Sequence, residues 1–526
     1  MPEIFMSVSE GAYTLPDGPV LFENVSLDIS GGEKLALIGD NGAGKTTLLK
    51  ILAGELELSA GNRVVQAAAA LLPQDISSLH GTVASVLNAG ETLAALAAIE
   101  AGDVSEALFE TLGNRWDFPA RLEEEFRAFG MGHITPDASF DRLSGGEKEK
   151  VLLAGMFLSG ADILLFDEPT NNLDAAGKML FYNRMEKAGE AVLVVSHDRE
   201  LLERMSAVIE LSHSGTRRYG GNYSFYRECR AAEREAVEER KTNLIRERNR
   251  LAATREKISA QAGKKDRYGR KMIVRNRFLP IAAKDMKAGA EVARAKKMKL
   301  LNGKIENRQA EIARIKNETR EEFIRIPMPG KPFLKERLAV LENVSFGYGP
   351  SPLFADVNAV LSGQSRIRLC GGNGSGKTTL IKILMGVILP DSGRAELNGR
   401  AVYLNQELSL PDRRKSLLDN VIDFNPGLKI NEAYTVLARF LFKNTAALKT
   451  AGTLSGGELL RLSLAMILGT REQPELLIFD EPTNNLDIRS SEILESALRQ
   501  YQGALLVVSH DAAFVRGIGL SEEIRL

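Results

Sequence analysis

Runs of four or five apolar residues, bounded by turn-forming residues, recur on both flanks of the chain, as at 35–38, 163–166 and 192–195. A run that is apolar throughout, not alternating, suits a strand buried on both faces, so these flanks read as α/β, with parallel strands covered by helices. The middle of the chain follows another period. Residues 223–261 and 291–323 hold almost no Gly or Pro and are dense in Glu, Lys, Arg and Ala, a helical composition. Val237, Leu244, Leu251 and Ile258 recur every seven residues, and Met298, Leu301, Ile305, Ile312 and Ile315 fall on a/d spacing. A narrow apolar seam on two long polar helices predicts an antiparallel coiled-coil hairpin, each arm roughly 50–60 Å long. The expected division is a domain over 1–222, the hairpin over 223–325 and a second domain over 326–526.

The two flanks are copies of one another. Gly39, Asp40, Asn41, Gly42, Ala43, Gly44, Lys45, Thr46 and Thr47 are answered by Gly371, Gly372, Asn373, Gly374, Ser375, Gly376, Lys377, Thr378 and Thr379, and both runs fit G-x-x-x-x-G-K-[ST]. Further landmarks follow in the same order. Gln74 and Gln406 each close a short apolar stretch. LSGGE supplies Ser144, Gly145, Gly146 and Glu147, then Ser455, Gly456, Gly457 and Glu458. FDEPTNNLD carries Asp167 and Glu168, then Asp480 and Glu481, and VVSHD carries His197 and His510. The offset between copies is 332 at the lysines and 313 at the glutamates, so the first copy holds roughly twenty extra residues, around 91–118.

Each landmark has a chemical reading. A glycine-rich loop turns consecutive backbone N–H groups toward one polyphosphate, with Lys45 and Lys377 reaching its terminal phosphates and Thr46 and Thr378 its Mg²⁺. Asp167 and Asp480, ending apolar strands, are placed to hold the metal, and Glu168 and Glu481 to polarise an attacking water. His197 and His510 follow a third strand, where a sensor of the terminal phosphate would sit. Gln74 and Gln406 suit positioning of metal and water. Ser144 and Ser455, each with paired glycines opening a helix, form a second anion-binding turn.

Charge is distributed unevenly. The formal net charge is −1, yet residues 227–325 hold 29 Lys+Arg against 15 Asp+Glu, leaving 39 against 54 elsewhere. Between 264 and 304 there are 14 cations and three acids, with Tyr268 and Phe278 interleaved. One-signed charge beside aromatic rings suits a phosphate backbone with unpaired bases, so Lys264, Lys265, Arg267, Arg270, Lys271, Arg275 and Arg277 are candidate RNA contacts. With only Cys229 and Cys370, in different parts of the chain, no disulfide framework is expected. No run of eighteen apolar residues occurs and the start, MPEIFMSVSEGAY, lacks the pattern of an export signal, so a cytoplasmic protein without a membrane partner is expected.

P-loop, Gln, LSGGE, Asp-Glu strand end, NNLD and His, in that order and over nearly the full length of both copies, resemble the ATP-binding cassette superfamily. The resemblance implies an ATP hydrolase using ATP and Mg²⁺, working as a monomer whose two cassettes pack head to tail. Ser455 would then complete the Lys45 site and Ser144 the Lys377 site. Tyr13 and Tyr348 match the aromatic that stacks on adenine, and Asp174 and Asp487 the loop that links the two sites. Tandem cassettes on either side of a long basic hairpin, entered through Gly220-Gly-Asn-Tyr-Ser-Phe-Tyr226, resemble the ABC-F branch. EPTNNLD departs from that branch's usual EPTNHLD at Asn172 and Asn485, a change read as tolerated. The branch implies a ribosomal partner: the ATP-bound form at the tRNA exit site, the linker tip contacting rRNA and the P-site tRNA toward the peptidyl-transferase centre, and release on hydrolysis. Either a general translation factor or a factor for antibiotic resistance fits; the absence of a longer arm in the first cassette leans toward the latter. The ATPase subunit of a membrane transporter and a DNA-acting ATPase are the competing classes.

Overall fold

The computed structural model describes residues 3–16, 18–72, 79–274, 280–318, 324, 326–327, 333–349, 351–372, 374–405, 408–470, 472–484 and 486–526; the side chains of 262–291, 294 and 316–318 fall outside it. The chain divides into two units, one made of 1–225 with 323–526 and the other of 226–322.

The first unit holds both copies. In the first copy the strands are β1 (Ile4–Thr14), β2 (Val20–Ser30), β3 (Lys34–Ile38), β4 (Ala60–Val65), β5 (Ala69–Leu71), β6 (Ile163–Asp167), β7 (Ala191–Val195), β8 (Ala207–Ser212) and β9 (Gly215–Tyr219). They form a sheet of order β5-β6-β7-β3-β8-β9, parallel except for β8/β9, and a small antiparallel sheet of order β2-β1-β4. The second copy repeats the plan with β10 (Ala339–Phe346), β11 (Phe354–Leu361), β12 (Arg366–Cys370), β13 (Ser392–Leu397), β14 (Ala401–Leu404), β15 (Leu476–Asp480), β16 (Ala504–Val508) and β17 (Glu522–Arg525). Its orders are β14-β15-β16-β12-β17, all parallel, and β11-β10-β13.

The apolar runs are apolar throughout for the expected reason. Every residue of β6, β7, β15 and β16 is buried. In the first copy Leu35, Leu37, Leu165 and Leu193 pack in one cluster with Leu48, Leu49 and Leu52 of the helix Lys45–Ala53 and with Val8 and Phe22 of the small sheet. Parallel pairing sets Leu37 beside Val195 and Val195 beside Asp167, so β3, β7 and β6 end at one edge. The P-loop, Asp167-Glu168 and His197 all leave from that edge, the usual place for a ligand in such sheets.

The extra residues of the first copy form two helices, Gly90–Glu100 and Glu106–Leu112, and the ring of Phe109, within the second, lies 5.9 Å from that of Trp116. No described helix is long and apolar enough to cross a membrane.

The second unit consists of two helices, and both differ in extent from the sequence reading. The first runs Tyr223–Val274, not to about 261, and the second Pro280–Glu318, starting eleven residues before 291. Gly263 and Gly269 lie inside the first helix. A glycine costs a helix only about 1 kcal/mol relative to alanine, which neighbouring turns absorb. Pro280 begins the second helix, where its missing N–H is no loss. At ~1.5 Å per residue the arms measure about 78 and 58 Å.

Leu244, Leu301, Ile305 and Ile315 are buried, and Val237, Leu251, Ile258, Met298 and Ile312 half-buried, as the heptad spacing requires. Lys241, Arg248, Arg255 and Arg308, also half-buried, fill intervening seam positions. Arg308 Nε lies 2.9 Å from Glu247 and Arg240 Nη2 3.1 Å from Glu311, ion pairs that tie the helices together in antiparallel register.

Candidate active site

The P-loop of each copy is shaped by glycine. Gly44 and Gly376 adopt φ of 95° and 96°, and a Cβ at either would come within 2.8 Å of a phenylalanine ring, Phe22 or Phe354. Only glycine meets both conditions. Lys45 and Lys377 then open the helices Lys45–Ala53 and Lys377–Leu384. Lys45 Nζ donates to the carbonyls of Gly39 (2.7 Å) and Asp40 (3.2 Å), and Lys377 Nζ to Gly371 and Gly372 (both 2.8 Å). Burial holds the Lys45 ammonium below its ordinary pKa.

The next residue meets the strand end. Thr46 Oγ1 donates to Asp167 Oδ2 at 2.6 Å, and Thr378 Oγ1 to Asp480 Oδ2 at 2.8 Å. Glu168 and Glu481 follow in the left-handed region, φ 50° and 48°, a conformation of sparse occupancy for a non-glycine residue and one that often marks a functional position. Each is pinned by its own backbone N–H, which donates to Val195 O (2.8 Å) or Val508 O (2.9 Å). The ring Nε2 of His197 stands 3.2 Å from Glu168 Oε1, and that of His510 3.4 Å from Glu481 Oε1.

Burial dominates the electrostatics. It pushes the Glu168 carboxyl up to about 8, aided by the charge of Asp167, and Glu481 up to about 7. It pulls His197 and His510 down to about 4, with the lysine of each P-loop adding to the shift. The glutamates are therefore poised as bases near neutrality and the histidines are neutral there. Among the described residues Glu168 Oε1, Glu481 Oε1, His197 Nδ1 and His510 Nε2 are buried without a hydrogen-bond partner. Unpaired buried polar atoms are costly, and atoms of this kind converging in both copies fit a site that takes a polar ligand.

LSGGE folds as a capping box in both copies. The Glu147 N–H donates to Ser144 Oγ (3.3 Å) while the Ser144 N–H donates to Glu147 Oε2 (2.9 Å); Ser455 and Glu458 repeat this at 3.4 and 3.0 Å. The box occupies the first and fourth amides, so those of Gly145 and Gly146, or Gly456 and Gly457, are left to an outside acceptor. Asn172, read as a tolerated replacement, makes a specific contact: its Nδ2 donates to Oε2 of buried Glu149 on the helix Gly145–Leu158 that LSGGE opens, at 3.3 Å.

Across the cassettes, the Asn41 N–H donates to Asp487 Oδ2 at 3.1 Å, so the loop after one Asp-Glu strand touches the opposite P-loop. Arg199 and Glu495 also pair across this interface, 2.7 Å apart. Tyr13 packs near Phe22, with ring centroids 6.2 Å apart, and Tyr348 is 73% exposed beside Phe346, an open ring face free to stack. Gln74, Gln406, Asn373, Arg275, Arg277 and Asn485 lie outside the described residues, and so do the side chains of Lys264, Lys265, Arg267, Arg270 and Lys271, whose backbone is helical.

Sequence reading missed Tyr403, whose hydroxyl donates to Asp480 Oδ2 at 3.0 Å, and the Arg199–Glu495 pair. Aligning the copies residue by residue shows only that they differ there, with Leu71, Ala512 and Tyr182 at the corresponding positions, and names no partner.

A family model described as ABC transporter matches residues 22–171 and 354–484. A tylosin resistance ATP-binding protein, TlrC of Streptomyces fradiae, is 31% identical over 94% of this chain and 92% of its own length. The chain belongs to the ABC-F family of ATP-binding cassette ATPases. An energy-dependent translational throttle protein, EttA of Mycobacterium tuberculosis, is 30% identical over 94% of this chain and 87% of its own. Among solved structures, an archaeal ribosome recycling factor crystallised with ribosomal stalk protein aP1 aligns with a TM-score of 0.59 and 19% identity over 97% of this chain and 86% of its own, a likeness of fold. The two ABC-F cassettes and the helical insertion between them are thus the architecture of the family.

Proposed function

We propose that this ABC-F protein is a cytoplasmic ATP hydrolase that binds the ribosome in its ATP-bound form and leaves on hydrolysis. Its working parts are a cassette over 1–222, a basic linker over 223–325 and a cassette over 326–526. The observation that carries the reading is the Asn41–Asp487 contact beside a complete Lys45, Asp167, Glu168 and His197 set, with the same set at Lys377, Asp480, Glu481 and His510. Ser455 with Gly456 and Gly457 would complete the Lys45 site, Ser144 with Gly145 and Gly146 the Lys377 site, and Tyr13 and Tyr348 would stack on adenine.

In each site the lysine would exchange P-loop carbonyls for phosphate oxygens, the glutamate would draw a proton from the attacking water, and the neutral histidine would hold the glutamate and report the terminal phosphate. The oxygens of Thr46 and Asp167, or of Thr378 and Asp480, suit a hard cation and would hold Mg²⁺ together with Gln74 or Gln406. Bound there the ion would neutralise charge on the β and γ phosphates. The ribosomal partner is supported by the names of the relatives, a translational throttle and a tylosin resistance protein, and by the cationic linker tip. That tip, from Lys264 through Arg277, would contact rRNA and the P-site tRNA from the exit site.

The test is the double variant Glu168→Gln, Glu481→Gln. With ATP it should cosediment with ribosomes well above wild type while hydrolysis falls roughly 10²-fold or more; sedimentation equal to wild type would refute the cycle. Drug-susceptibility of a host expressing the wild-type chain separates a resistance factor from a general translation factor.

A further inference from the structure

We propose that the two ATP sites are unequal, the Lys45 site being the retaining one, because Arg199 and Glu495 clamp the cassettes together on that side only; this rests on the ATPase reading above. Arg199 follows His197 and Asp198 in the first cassette, and Glu495 lies on the helix Ile488–Gln500 that Asp487 caps in the second. In their 2.7 Å pair Glu495 is buried and Arg199 largely so, with side chains 9% and 12% exposed. Asp487 at the head of the same helix accepts from the Asn41 N–H in the Lys45 P-loop, and Arg489 on its first turn stands 3.6 Å from Asp40. One helix of the second cassette thus touches the P-loop and the sensor loop of the first at three points.

The mirror side cannot copy the ionic contacts. At the 313-residue offset of this region, Arg199 becomes Ala512, Glu495 becomes Tyr182 and Arg489 becomes Ala176, while Gly372 stands where the first P-loop has Asp40. Tyr182 instead donates to Asp198 of its own cassette at 2.7 Å, and Lys178 on the same helix pairs with Asp198 at 2.9 Å. Among the described residues the counterparts of Arg199 and Glu495 form no ion pair across the interface, and Lys178, whose charge is felt by Glu481 and His510 of the second cassette, makes its own ion pair within the first.

The Arg489–Asp40 pair is half-exposed or more and contributes little. Arg199–Glu495 is the one that decides, since separating the cassettes here leaves a desolvated charge without its partner until water enters. Opening is therefore slower at Lys45 than at Lys377, and the Lys377 site turns over first. Arg199 and Glu495 act as positioning residues, through the sensor loop and the Asp487 helix.

The experiment uses the full chain carrying Glu168→Gln and Glu481→Gln, loaded with a fluorescent ATP analogue and Mg²⁺ and chased with excess ATP. Two release phases are expected. Adding Arg199→Ala or Glu495→Ala should speed the slow phase on the order of tenfold and leave the fast phase within about twofold, and combining both should add nothing further. Arg199→Lys, which keeps the charge and guards against misfolding of the alanine variant, should speed it less. A single phase in the parent, equal acceleration of both phases, or additive effects of the two substitutions would overturn the proposal. Wild-type protein that neither retains nor hydrolyses ATP would instead overturn the ATPase reading.

Discussion

In the cassettes, strands β6, β7, β15 and β16 are buried at every residue, whereas among the described side chains of the helix arm from 226 to 261 what is sheltered is a seam shared between Leu244 and half-buried cations such as Arg248 and Arg255. The cassettes hold their shape by apolar volume, and cores of that kind fix atoms to within fractions of an ångström. The hairpin holds its shape by helix propensity, a thin seam and ion pairs, which tolerates a surface of one sign of charge. Chemistry that needs Thr46 at 2.6 Å from Asp167 belongs in the first kind of structure, and a cationic probe in the second.

Substitutions can break this contrast. The largest effect is expected from Phe166→Ala, a ring buried against Phe157 and Phe181; it should lower cassette stability by about 3–5 kcal/mol in denaturant unfolding. Leu301→Ala in the seam should cost about 2 kcal/mol or less and leave ATP binding intact. Equal destabilisation by the two would mean that the hairpin is packed like a core.

Neutralising Lys264, Lys265, Arg267, Arg270 and Lys271 should weaken ribosome binding and flatten its dependence on salt, the log–log slope falling by roughly 0.7–0.9 for each phosphate that no longer has a cation against it. ATPase without ribosomes should not change. An unaltered salt slope would move the RNA-binding surface away from the tip.

A smaller effect tests the cassette side. The Glu168 carboxyl, raised from 4.5 to about 8 by burial, stabilises the nucleotide-free fold while protonated. That contribution is complete below the unfolded pKa and is lost as pH rises through about 8. Melting of the nucleotide-free protein should accordingly fall from pH 6 to pH 9, and Glu168→Gln should flatten the decline. Stability that rises over that interval would contradict the buried environment.

The motifs were legible because each depends on local backbone geometry. Gly44 and Gly376 are demanded by a positive φ and a close phenylalanine, and LSGGE is a capping box written in five letters. The arms of the hairpin were legible as a period but not in length, because Gly263 and Gly269 lower helix propensity without ending the helix. Tyr403 was not legible as a partner of Asp480, since only the pairing of β14 with β15 brings its hydroxyl there.

By itself the sequence determined two copies, their order of landmarks, the parallel strands and the basic helical hairpin between them. Those features follow from periodicity and from residues whose local conformation leaves little choice. The tertiary structure alone decided which side chains meet across the cassettes: Asn41 with Asp487, Arg199 with Glu495. Residues hundreds of positions apart share no local constraint, so their meeting is fixed only when two packed surfaces come together.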